Sequence, residues 1–212
     1  LMFWLVAELV KILFNLEYII FFNLIQSIVK DRNSIEEMYV FIGEIDAAIS
    51  TASIKSSKSH FCTPTFIENK NIQVTGMYHP LIPNCVLNDI NLSNKSMLLT
   101  GSNMSGKTTF IRALGLNSLL AQTLNICFAK EYYAPFFKLY SSIRISDDIL
   151  KSKSYYLEEV LTIKQLIRVS RDVNPSLFIL DELFKGTNTI ERVSGSKAVL
   201  SYLNHNNNIV LA

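Results

Sequence analysis

Residues 101–108 read Gly101-Ser102-Asn103-Met104-Ser105-Gly106-Lys107-Thr108 and meet every fixed position of G-x-x-x-x-G-K-[ST]. The flanks suit the motif. Met97-Leu98-Leu99-Thr100 reads as a short buried strand entering the loop. From Thr108 onward, Phe110, Ile111, Leu114, Leu116, Leu119 and Leu120 fall near helical spacing. Strand, glycine loop and helix are the parts a phosphate cradle needs. Glycine lets backbone N–H groups close around phosphate oxygens, and the helix N-terminus presents a positive dipole end. Lys107 can reach the β- and γ-phosphates, and the Thr108 hydroxyl can hold Mg²⁺.

A second pattern supplies carboxylates. Leu177-Phe178-Ile179-Leu180 is a continuous apolar run followed by Asp181-Glu182. Four apolar residues in a row predict a strand buried on both faces, as in a parallel sheet, and open α/β sheets bind ligands at the carboxyl ends of their strands. Asp181 is then placed to hold Mg²⁺, directly or through water, and Glu182 to orient or deprotonate an attacking water. Taken alone, Asp-Glu can equally open a solvated loop; the phosphate loop upstream favours the site.

Composition sets outer bounds. The chain has 212 residues and a formal net charge of +2, enough length for one large domain, or one domain plus a smaller piece, and no strong electrostatic case for nucleic acid. Cys62, Cys85 and Cys127 form no C-x-x-C pair, which points to a reducing, cytoplasmic setting and away from a zinc site or disulfide framework. The chain opens inside an apolar run and closes on the strand-like Asn208-Ile209-Val210-Leu211-Ala212; both ends read as cut from something longer.

Residues 1–58 hold one glycine, Gly43, and no proline, so helix is expected throughout, as a connector at the end of an upstream domain. In the apolar stretch 1–29, the polar residues Glu8, Lys11, Asn15, Asn23 and Gln26 share a stripe about a third of the circumference wide, with Glu17 outside it. Three readings stand: a packing helix in a long helical arm, the tail of a membrane-associated region, or a helix pairing with a partner chain. Glu8 and Lys11 weaken a simple membrane span. A second helix is expected near Ser34, where Ser34 and Glu37 make a capping-box pattern, with Ile35, Met38, Ile42, Ile45, Ile49 and Ala52 as its apolar stripe. The Ser/Lys-rich stretch 53–59 reads as a linker. Residues 66–100 read as short strands and turns, and the aromatics Tyr132, Tyr133, Phe136 and Phe137 read as core in preference to base-stacking groups.

Taken together, these motifs resemble the C-terminal ATPase domain of the MutS DNA mismatch-repair family, a branch of the ABC-type ATPases. Gly101–Thr109 looks like the family's G-P-N-M-x-G-K-S-T, with Asn103 and Met104 more specific than the generic loop. Arg112, Ala121-Gln122, Ile145-Ser146-Asp147-Asp148, His79-Pro80 and Asp181–Thr189 fall at family positions, and the helix expected at 34–52 with Phe61-Cys62-Thr63-Pro64 resembles the end of its lever helix, where the chain returns to the ATPase. The resemblance implies an α/β fold: a P-loop NTPase sheet of ABC type flanked by helices, at 59–212, preceded by an N-terminal helical segment at 1–58. It implies ATP and Mg²⁺ as cofactors, held by the backbone of Gly101, Ser102, Asn103, Met104, Ser105 and Gly106 with Lys107, Thr108 and Thr109. Thr108 and Asp181 would hold the metal, Lys107 and Glu182 would serve catalysis, and Gln122 would sense the γ-phosphate. Ser154 matches the signature serine that acts across a dimer on the partner's nucleotide, Glu159 matches that motif's glutamate, and Asn188 lies in a loop that meets the partner subunit.

The sequence also departs from the family. The signature runs Ser154-Tyr155-Tyr156-Leu157-Glu158-Glu159, with Tyr155 where the family has Thr and an extra acid. The T-H that follows the last strand would fall past Ala212, and the mismatch-reading and clamp domains lie outside this sequence. The function implied is ATP binding and hydrolysis in a homodimer or MutS-like heterodimer, coupled to mismatched double-stranded DNA through other domains. A membrane-tethered or partner-binding ATPase switch that reads no mismatches is the alternative, with residues 1–29 as its membrane contact. An L-S-G-G-Q run, the mark of other ABC-type ATPases, is absent.

Overall fold

The computed structural model describes Trp4, Leu13 and residues 15–57, 60–102, 105–143, 155–185, 187–205 and 208–212. The chain separates into two compact units, Leu1–Ser57 and Lys58–Ala212.

The first unit carries helices α1 (Leu16–Lys30) and α2 (Arg32–Ser57). Only Asp31 lies between them, and hydrogen bonding runs through it: its N–H donates to Ser27 O at 2.9 Å, and Ile35 N–H donates to its carbonyl at 3.0 Å. Two expectations change here. Ser34 lies inside α2, so the Ser34/Glu37 capping box is not used. Residues 53–57 are helix where a linker is predicted. Their hydroxyls explain this, because Ser56 Oγ donates to Ser53 O and Ser57 Oγ to Ile54 O, and hydroxyls that bond back to the preceding turn let serine sit in a helix. The apolar stripe is exposed from Met38 to Ile49. Among the described residues, no helix is long and apolar enough to cross a membrane.

The second unit is α/β, built around β6 (Ser176–Leu180), whose five residues are all buried. It lies parallel between β5 (Lys138–Ser142) and β7 (Ile209–Leu211). Alternation divides its side chains between two cores. Leu177 and Ile179 join helix α3 (Lys107–Leu124) and a second sheet. Phe178 and Leu180 join α4 (Tyr155–Val169) and α5 (Thr189–Leu203) through Ile163, Leu166, Val199 and Leu203. The second sheet is mixed, in the order β1 (Thr65–Phe66), β4 (Glu131–Ala134), β2 (Asn71–Met77), β3 (Asn88–Ser93). Tyr132 and Phe137 belong to the first core, as expected of the aromatics, whereas Phe136 is exposed and stacks on Phe66.

The expected strand at 97–100 is realised in part. Met97 N–H donates to Val210 O, Ala212 N–H to Met97 O and Leu99 N–H to Ala212 O at 2.8, 3.1 and 2.6 Å, so the segment extends the parallel ladder beyond β7. Leu98 is nonetheless 67% exposed, because only one face of this short segment has a core to meet.

Asn117, fully buried on α3, holds helix to sheet. Its amide nitrogen donates to Tyr78 O and Ala113 O at 3.0 and 2.8 Å, and its oxygen accepts from Phe128 N–H at 2.6 Å and the Cys127 thiol at 3.4 Å. Cys127 also faces Cys62 across an antiparallel bridge, both as free thiols. The thiol–thiol hydrogen bond and burial hold Cys127 well above the usual thiol range. Replacing Asn117 strands the Phe128 N–H and the Tyr78 carbonyl, so Asn117→Ala should lower unfolding free energy by roughly 2–4 kcal/mol, read from the urea midpoint at an unchanged m-value.

Candidate functional site

The loop that precedes α3 is shaped by two glycines in the left-handed region, Gly101 at φ 157 and Gly106 at φ 87. Gly106 is the N-cap of α3, and no side chain caps the helix there. The N–H groups of the first turn, from Lys107 to Thr109, have no acceptor within the helix. Such an end is a ready anion site. Lys107 folds back over the loop, and its Nζ donates to Gly101 O and Ser102 O at 2.7 and 2.6 Å. Ser105 N–H donates to Ser102 O at 3.3 Å, closing the same bend.

The loop and the strand-end carboxylate meet. Thr108 Oγ1 donates to Asp181 Oδ2 at 2.9 Å, and Asp181 continues the ladder of β6 by donating its N–H to Ser142 O at 2.9 Å. A hydroxyl and a carboxylate oxygen this close are two hard donors of the kind Mg²⁺ takes. Glu182 follows in the left-handed region at φ 51, with its Oε2 2.6 Å from Lys185 Nζ. A groove of about 960 Å³ opens beside Glu182, lined also by Leu98, Lys185, Arg192, Lys197 and Leu200. None of the described residues of the glycine loop lines it.

The other expected residues fall differently. Asn103, Met104, Asp147, Asp148 and Ser154 lie outside the described residues. Gln122 does not reach the loop: it is 15 residues along α3 from Lys107, about 22 Å at the helical rise. Its Oε1 accepts from Phe137 N–H at 2.8 Å. The expected γ-phosphate contact therefore does not fit its place, and it ties the far end of α3 to the approach to β5. Asn188 caps α5, accepting from Glu191 N–H at 2.9 Å. Two contacts were not legible as site features in the sequence: Lys185 on Glu182, and Glu159 Oε1 accepting from Phe184 N–H.

The pattern of MutS domain V matches residues 97–211, more than half of the chain, and spans both the loop and the carboxylates. This chain belongs to the MutS family. It is 29% identical over 198 residues to the DNA mismatch repair protein MutS of Staphylococcus aureus strains JH9, Newman and N315, an alignment covering 89% of this chain and 22% of each relative. The chain thus spans about a fifth of the length of these MutS relatives.

The revised place of Gln122 is open to test. Gln122→Ala removes the acceptor of one part-buried N–H and should lower stability by about 1 kcal/mol in chemical denaturation.

Proposed function

We propose that this chain is the ATP-binding and hydrolysing part of a MutS-family mismatch repair protein, with a P-loop sheet of ABC type. The contact that carries the reading is the 2.9 Å bond from Thr108 to Asp181, which joins residues 73 positions apart at the mouth of a glycine loop. Loop and carboxylate both leave the C-terminal ends of parallel strands, where open α/β sheets take their ligands.

In this reading the first-turn N–H groups of α3 bind phosphate oxygens, and Lys107 exchanges the Gly101 and Ser102 carbonyls for the β- and γ-phosphates. Thr108 and Asp181 hold Mg²⁺, which when bound supplies charge neutralisation at the phosphoryl group. Glu182 orients the attacking water. There is little covalent chemistry for the protein to perform, so positioning and charge carry the rate. Ser154 of a second copy, or of a MutS-like partner, completes the site across a dimer, with residues 1–58 as the lever segment towards DNA-contacting domains. Similarity to DNA mismatch repair protein MutS supports the DNA role. A second reading, a partner-binding ATP switch, draws on the exposed apolar side chains of α1 such as Phe21, Phe22 and Leu24.

In the intact protein, Lys107→Ala should abolish ATP binding in equilibrium titration; retained tight binding refutes the loop assignment. Glu182→Gln should keep ATP binding while turnover drops about a hundredfold or more, and a wild-type rate removes its role. Stimulation of the ATPase by mismatched over matched duplex supports repair, whereas indifference to both duplexes favours the partner switch.

A further inference from the structure

The turn after β6 is held in a conformation its residues do not choose for themselves. Glu182 and Phe184 lie in the left-handed region at φ 51 and 56, and neither is glycine. Such residues persist only where their surroundings over-determine them. Phe184 is fixed on three sides. Its carbonyl accepts from Thr187 N–H and Thr187 Oγ1 at 3.3 and 3.0 Å. Its ring lies against α5, where a Cβ added to Gly195 would sit 3.1 Å from the ring. Its N–H donates to Oε1 of Glu159 on α4.

Glu159 is an unusual group for that task. Its other oxygen, Oε2, is buried with no hydrogen-bond partner among the described residues. A buried carboxylate oxygen without a donor destabilises a fold, so simple helix packing does not account for it. What the carboxylate does is reach from α4 to the backbone two residues beyond Glu182. The Glu182 carboxylate is itself tethered within the turn by Lys185.

We propose that Glu159 is a positioning residue for hydrolysis, setting the aim of Glu182 through the Phe184 N–H. The proposal rests on the reading of Glu182 as the water-orienting carboxylate. It assigns Glu159 no contact with nucleotide: it acts on the rate-determining geometry and leaves the phosphate loop untouched, because Lys107 and Thr108 share no bond with it.

The test uses ATP turnover and ATP binding in the intact protein. Glu159→Ala should lower kcat about tenfold to a hundredfold with the KM for ATP within about twofold of wild type. Glu159→Gln keeps an oxygen for the Phe184 N–H and should restore most of the rate. On a Glu182→Gln background, Glu159→Ala should add no further loss in single-turnover hydrolysis, since it acts through Glu182. Should Glu159→Ala fail to fold, Glu159→Asp, which withdraws the oxygen by one methylene, replaces it with the same expectations. An unchanged kcat in Glu159→Ala, an equal loss in Glu159→Gln, or an additive loss in the double variant overturns the proposal. Wild-type turnover in Glu182→Gln would instead overturn the assignment of Glu182 itself, a result separable from a silent Glu159 beside a stalled Glu182.

Discussion

The central constraint is that β6 has no free side. All five of its residues are buried, so its backbone groups must be paired along both edges and its side chains covered on both faces. The parallel neighbours β5 and β7 meet the first demand. The second needs α3 on one face and α4 with α5 on the other, and the alternating side chains of one strand thereby define two separate cores. Where the strand ends, its last apolar residue gives way to Asp181. The same burial that fixes β6 thus fixes a carboxylate beside the glycine loop, and the Thr108 bond closes that arrangement.

The most legible features are those whose chemistry is local. A tight bend needs glycine at set positions, so the turns at Gly101 and Gly106 could be read without a structure. A strand buried on both faces reads as a continuous apolar run, so Leu177 to Leu180 announced itself, and Asp181 came with it. Features whose cause lies across the fold were less visible. Leu98 belongs to an apolar run, but its exposure depends on how little covers that edge. Ser56 and Ser57 look like linker until their hydroxyls are seen to return to the helix backbone, at Ser53 O and Ile54 O. Gln122 shows the opposite failure: a motif position implied a contact that four turns of helix separate from the loop.

The least visible group is the polar side chains that tie elements together. Nothing about Asn117 in a helix, or Glu159 beside another acid, marks it as a tie between elements. Each acts on a backbone group that becomes a partner only once the chain has folded: the Phe128 N–H for one and the Phe184 N–H for the other. Both hold non-repetitive backbone to a helix, and in both cases the geometry of a loop is set by a side chain distant from it in sequence.

The folded-back Lys107 has a consequence for the entropy of ligand capture. Its ammonium already sits 2.7 and 2.6 Å from two carbonyls of its own loop, so the long side chain has lost its rotational freedom before any anion arrives. On the proposed reading, capture would be a swap of acceptors around a charge that is already ordered, and the freezing of a flexible lysine would not be charged to the encounter. In the proposed phosphate-binding role the cost moves to folding, where it is shared with the bend at Gly101 and Gly106.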